Sequence, residues 1–159
     1  MTVQKDLIVT GSWDSTIALH DPRAPRPQVD SFNQPERVYH MDVVGNTLVV
    51  VMGGRKINIF DIRRMEKPTQ ERDSSLRFMT RALACMPTGE GRHSSSIFIR
   101  ILTTWPGFSV GSIEGRIAVE YFDVSSAAQA KKYAFKCHRQ TIDGNDHVWP
   151  VNSLAFHPV

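Results

Sequence analysis

The stretch TGSWDSTIALHDPR, residues 10–23, decides how this chain reads. Residues 7–9 before its turn and 17–19 after it are short apolar strands. Between them Ser12-Trp13-Asp14-Ser15-Thr16 has the small polar residues of a hairpin connection. Such a turn faces water, so its indole either covers a neighbouring strand or is offered to a partner.

Two further stretches repeat the pattern: VVMGGRKINIFD, residues 50–61, and SVGSIEGRIAVEYFD, residues 109–123. Each runs from an apolar strand through a small-residue turn into an alternating strand, and the alternating strands close on Asp21, Asp61 and Asp123. Gly11, Gly53-Gly54, Gly111 and Gly115 are expected to supply the positive φ values of tight hairpins. Asp21 to Asp61 is 40 residues, the spacing of WD-type repeats with four strands per propeller blade. RVYHMDVVG (37–45), TRALACMPTG (80–89) and VNSLAFHP (151–158) occupy the place of a blade's first strand. The tryptophan usual before the closing aspartate is replaced by His20, Phe60 and Phe122.

The expected fold is all-β, a partial WD-repeat β-propeller. Its blade-like units are about 1–22, 36–62 and 78–124, with the start of a further blade at 149–159. A sandwich or open barrel shares the alternation and the glycine turns, and the 40-residue recurrence disfavours it. On this reading the chain begins at the second strand of one blade and ends after the first strand of another. It is then a fragment, or a truncated gene model, of a longer propeller.

Asp61 to Asp123 is 62 residues, 22 more than the repeat. Most of the surplus is RHSSSIFIRILTTWP, residues 92–106. Without it MPTGEG runs straight into GFSVGSIEGR, an ordinary strand–turn–strand. It reads as a loop insertion, which costs little, or as a retained intron. Codons for Gly91-Arg92 can hold a GT donor, those for Ile101-Leu102-Thr103 a branch site, and those for Trp105-Pro106-Gly107 a CAG acceptor.

Composition narrows the function. Hydrophobic residues make up 41% and charged residues 22%, as in globular proteins. No apolar run approaches the ~20 residues that cross a bilayer, so no membrane partner is expected. The net charge of +3 is mild, and acidic residues interleave with basic ones, which does not suit nucleic acid. Arg63-Arg64 and Lys131-Lys132 read as solvated loop charges. Cys85 and Cys137 form no C-x-x-C pair, so no disulfide framework or zinc site is expected and a reducing compartment fits. His138 reads as a packed core histidine. No G-x-S-x-G, H-E-x-x-H or P-loop occurs, and MGGRK and GSIEGR lie at hairpin turns rather than at helix N-termini. The expectation is no enzyme, no cofactor and no metal, but a rigid scaffold whose turns hold peptides.

GSWDSTIALHDPR, SSLRFMTR, GSIEGRIAVEYFD and KKYAFKCHR give the chain a more specific likeness. It resembles the spindle-assembly-checkpoint WD-repeat proteins of the budding-uninhibited-by-benzimidazole family, whose relative is the nuclear-pore WD-repeat RNA export factor. The likeness covers nearly everything outside residues 92–106. FKCHR and GSIEGR are shared with both relatives, whereas DPR, EYFD and KKYAF side with the checkpoint protein. The valine- and isoleucine-rich spelling, and a short intron if residues 92–106 are one, point to a fungal source.

The resemblance implies about three blades of a seven-bladed propeller that binds GLEBS segments of checkpoint kinases across its top face. It implies a nuclear, kinetochore location, reached through phosphorylated repeats of an outer-kinetochore scaffold. Most residues reading those repeats would lie beyond Val159. The alternative it implies is an mRNA export factor binding the GLEBS segment of a nucleoporin. By position, Trp13 matches the family's GLEBS-contacting tryptophan in the SWD turn, and Arg139 the contacting arginine in KCHR. From the residues alone, a structural role is the favoured reading of each: Trp13 packed between blades, Arg139 paired with a turn carboxylate.

Overall fold

The computed structural model of the chain describes residues 2–4, 7–87 and 106–157. Among these, three four-stranded antiparallel sheets follow one another along the chain, each an up-and-down meander. The first holds β1 (Thr2–Gln4), β2 (Leu7–Gly11), β3 (Thr16–His20) and β4 (Gln28–Asn33). The second holds β5 (Val38–Val44), β6 (Thr47–Met52), β7 (Lys56–Asp61) and β8 (Gln70–Asp73). The third holds β9 (Thr80–Cys85), β10 (Gly107–Ser112), β11 (Arg116–Tyr121) and β12 (Tyr133–Lys136), with the short helix α1 (Ser126–Gln129) before β12. A separate hairpin, β13 (Arg139–Ile142) and β14 (Asn145–Val148), follows. No described helix is long and apolar enough to cross a membrane.

The sheets stack face to face, and the sequence shows why. Val9, Ile17 and Leu19 of the first sheet meet Val38, Met41, Leu48, Val50, Met52 and Phe60 of the second. From the opposite face of the second sheet, Val49, Val51, Ile57 and Ile59 meet Leu83, Cys85, Phe108, Val110 and Ala118 of the third. The middle sheet is thus covered on both sides, and β6 is an unbroken apolar run rather than an alternating one. Each fully buried Val or Leu there stabilises the stack by roughly 1.5–3 kcal/mol.

The three closing aspartates share one task. Asp21 Oδ1 accepts the Arg23 N–H at 2.9 Å, Asp61 Oδ1 the Arg63 N–H at 3.0 Å, and Asp123 Oδ1 the Ser125 N–H at 2.8 Å. Each therefore locks the turn that ends the third strand. At Asp61 the Arg63 side chain adds a two-pronged contact, which draws the carboxyl down to about 2.

Several expectations need correction. The sheets run past the boundaries read from sequence, because each has a fourth strand beyond its aspartate: β4, β8 and β12. These outermost strands are exposed or half-exposed along their length. The first sheet also has a strand ahead of residue 7, since Thr2, Val3 and Gln4 pair with Val9, Ile8 and Leu7. Residues 151–157 form no strand, although Val151 is buried and its N–H reaches Ser112 O at 3.0 Å.

The glycines divide into two groups. Gly54 and Gly115 do have positive φ, but in the first turn that position falls on Ser15, at φ 67°. Gly11 and Gly111 are needed for space instead: a Cβ would sit 2.6 Å from Val38 Cγ1 and from Val151 Cγ1, respectively. His138 is exposed, not core. Lys132 is no solvated loop charge, because its Nζ lies 3.7 Å from Oε2 of the buried Glu120. Residues 92–105 lie outside the described residues. The flanks of that segment are adjacent, as the Met86 N–H bonds Gly107 O at 2.9 Å.

Candidate peptide-binding end

Hydrogen bonds between turns bring the second-to-third-strand turns and the links between sheets to one end of the stack. The Gln34 N–H reaches Ser15 O, and the Val38 N–H reaches Ser12 O. Ser74 bonds Arg55 O, and Ile113 bonds Met79 O, in the same way. Trp13 and Arg139 both belong to this end, Trp13 on the first sheet and Arg139 beside the third, with the turn of the middle sheet between them.

Trp13 is 68% exposed. Its turn is built without it. Ser12 and Thr16 close the backbone, Asp14 Oδ1 accepts the Thr16 N–H at 3.1 Å and its hydroxyl at 2.6 Å, and the Asp14 N–H reaches Ser12 Oγ. The Thr16 hydroxyl, chiefly, holds the Asp14 carboxyl below its usual range. One ring contact supports the indole, an edge-on meeting with Tyr39 of β5 at 6.1 Å between centroids. The indole is therefore presented to solvent on a rigid turn, not packed between sheets.

Arg139 has different surroundings. Its side chain is 21% exposed and bridges two carboxylates: Nη1 lies 3.5 Å from Glu114 Oε2, and Nη2 lies 3.5 Å from Asp146 Oδ2. Glu114 comes from the β10–β11 turn and also has Arg116 Nε at 3.6 Å. Asp146 lies on β14, where its other oxygen accepts the Thr141 hydroxyl at 2.7 Å. That hydroxyl, ahead of Arg139, holds the Asp146 carboxyl below its ordinary value. The hairpin carrying Arg139 turns on Asp143 and Gly144, both at positive φ. Its root is tied down by His138 N–H to Gly115 O and Trp149 N–H to His138 O.

Sequence reasoning missed Tyr39 and Asp146, whereas the turn carboxylate it offered as a structural partner of Arg139 is Glu114. The Asp143-Gly144 dipeptide was the available signal for the hairpin that positions Asp146. The same end also exposes Phe78, Ile113 and Trp149 in its connecting segments. Exposed apolar side chains therefore stand at this end beside the first sheet (Trp13), in the link between the second and third (Phe78) and beside the third (Ile113, Trp149). Elsewhere, burial pushes the Cys85 thiol far above its ordinary value, so it is a core group rather than a nucleophile.

No family model matches the chain. The mitotic checkpoint protein BUB3.1 of Arabidopsis thaliana is 49% identical over 156 residues, covering 96% of this chain and 41% of that protein. A poly(A)+ RNA export protein of Schizosaccharomyces pombe is 35% identical over 152 residues, covering 96% of this chain and 38% of that protein. A chain in a crystal structure of the mitotic checkpoint complex superposes with a TM-score of 0.60 at 15% identity. That match covers 85% of this chain and 38% of the other, and shows the shared fold. The chain spans about two-fifths of the length of the curated relatives it matches. Over the stretch that it spans, the chain is a partial WD-repeat β-propeller similar in sequence to the Bub3 mitotic-checkpoint proteins, with the mRNA export factors as further relatives.

Proposed function

We propose that the chain is part of a non-catalytic adaptor of the spindle assembly checkpoint. It holds GLEBS segments of checkpoint kinases across the end of the propeller that carries Trp13 and Arg139. A nuclear, kinetochore location and recruitment through phosphorylated repeats of an outer-kinetochore scaffold belong to the same proposal. The observation that carries it is the exposed Trp13, held on a turn whose hydrogen bonds do not need it, at the same end as Arg139. An indole in that position is an efficient anchor, and a guanidinium can take a glutamate carboxylate at the edge of the contact.

Alanine at either position tests this, with titration of a synthetic GLEBS peptide beside thermal melts. Trp13→Ala should weaken binding by about 2 kcal/mol or more. The lost edge contact with Tyr39 bounds the stability cost at about 0.5–1.5 kcal/mol. Arg139→Ala should weaken binding comparably per folded molecule, with some loss of melting temperature because Glu114 is left facing Arg116 alone. Normal binding by either variant once folded would refute the role given to that residue.

The RNA-export relatives favour a second reading, in which the GLEBS segment belongs to a nucleoporin. Salt-dependent binding of poly-pyrimidine RNA would support it. Capture of checkpoint kinases would support the first.

A further inference from the structure

Arg139 already has a carboxylate on each side, and the two are not equivalent. Glu114 projects from the β10–β11 turn, has a side chain only 14% exposed, and faces Arg116 as well as Arg139. Asp146 sits on the wholly exposed strand β14 of the hairpin and its side chain is 63% exposed. Thr141 stands opposite it in the register and holds its other oxygen, so Asp146 is aimed at Arg139 by its own hairpin.

We propose that Asp146 is an intramolecular competitor for Arg139, occupying the place that a partner's glutamate takes. This rests on the reading of Arg139 as a peptide-binding residue. The guanidinium offers separate N–H groups to two carboxylates. Glu114, largely buried and held by a second arginine, keeps Nη1. Asp146, solvated and carried on a hairpin tied down mainly at its root, yields Nη2. An incoming glutamate therefore exchanges one carboxylate for another and leaves the part-buried pair with Glu114 intact. Its net gain is reduced by the strength of the contact it displaces, while the arginine stays oriented and is not free to collect other anions. Asp146 is in this sense a specificity-determining residue: a weakly placed or singly anchored acid would not displace it, and a glutamate delivered by an apolar segment anchored at Trp13 would.

The test is Asp146→Asn in the protein, titrated with a synthetic GLEBS peptide and with the same peptide carrying glutamine for its glutamate. Asparagine keeps the size of the side chain and an oxygen for the Thr141 hydroxyl, and removes the charge. An exposed ion pair is weak, so the gain expected for the glutamate peptide is about threefold to fivefold. The glutamine peptide should bind wild type and variant alike. Asp146→Ser, which also removes the charge, should reproduce the gain. Unchanged or weaker binding of the glutamate peptide would overturn the proposal and assign Asp146 to positioning Arg139. An equal gain with both peptides would also overturn it, since the effect would not pass through the carboxylate. If Arg139→Ala leaves wild-type affinity untouched, the reading of Arg139 itself fails, an outcome separate from either of these.

Discussion

Arg72 is where the seam between the second and third sheets is most open to test. From β8 it donates Nη1 to Tyr121 O at 2.7 Å and Nη2 to Phe122 O at 2.9 Å, and Nη2 also meets Gln70 Oε1. Burial makes its charge harder to keep, lowering the guanidinium from its usual value even with Glu120 nearby. Two effects therefore oppose each other in Arg72→Met. The variant escapes the desolvation cost, which alone would make it neutral or better. It also strips two carbonyls of a charged donor, and bonds to charged groups contribute about 1.5–3 kcal/mol each. Phe122 O retains Gln70 Nε2 at 3.0 Å, whereas Tyr121 O is left with Gln129 Nε2 at 3.5 Å. The loss is thus nearer one bond than two, and the expected net destabilisation is about 2 kcal/mol. With a urea slope of about 2 kcal/mol per molar, the midpoint should fall by about 1 M at unchanged slope. Arg72→Lys, whose single ammonium cannot span both carbonyls, should recover about half. A midpoint within about 0.2 M of wild type for Arg72→Met would refute the reasoning, and so would lysine behaving like methionine.

Two more expectations concern glycine spacing and the segment between β9 and β10. Gly11→Ala should destabilise by about 1–3 kcal/mol, because its Cβ would crowd Val38 and Met41; calorimetric melts beside Gly45→Ala, whose Cβ meets nothing within 4 Å, separate crowding from φ strain. Deleting residues 92–106 should preserve or raise the melting temperature, since Met86 and Gly107 are already hydrogen-bonded neighbours. A large loss of stability would show that IFIRIL contributes to the core.

What the sequence made legible follows the physics of burial. The glycine turns, the inner strands and the closing aspartates were readable because buried strands need apolar residues and tight turns need particular ones. β4, β8 and β12 were not, because a strand at the wet outer edge takes Gln-Val-Asp-Ser-Phe-Asn or Gln-Glu-Arg-Asp as readily as a loop does. The ion pair of Lys132 with Glu120 was hidden for a related reason. Glu120 occupies a position whose neighbours Phe108 and Ala118 are core, but nothing local marks a carboxylate as buried. At the candidate site, the turn alone left Trp13 either packed on a neighbouring strand or offered to solvent, and its exposure is visible only in the folded chain. The enclosure of Arg139 depended on a distant turn and a hairpin partner, which spacing along the chain does not reveal.

The unbroken apolar run of β6 has a consequence during synthesis. Leu48 to Met52 leave the ribosome well before the third sheet exists, so the surface holding Val49 and Val51 waits uncovered while β9 and β10 are still being made. A window of five apolar residues without charge or proline is the kind that pairs with other chains when exposed. The flanking groups that interrupt it are Asp42 on one side and Arg55 with Lys56 on the other. For a nascent chain, then, the hazardous interval is set by the distance from β6 to β10. Every residue inserted between β9 and β10 lengthens that interval, whatever it costs the finished fold.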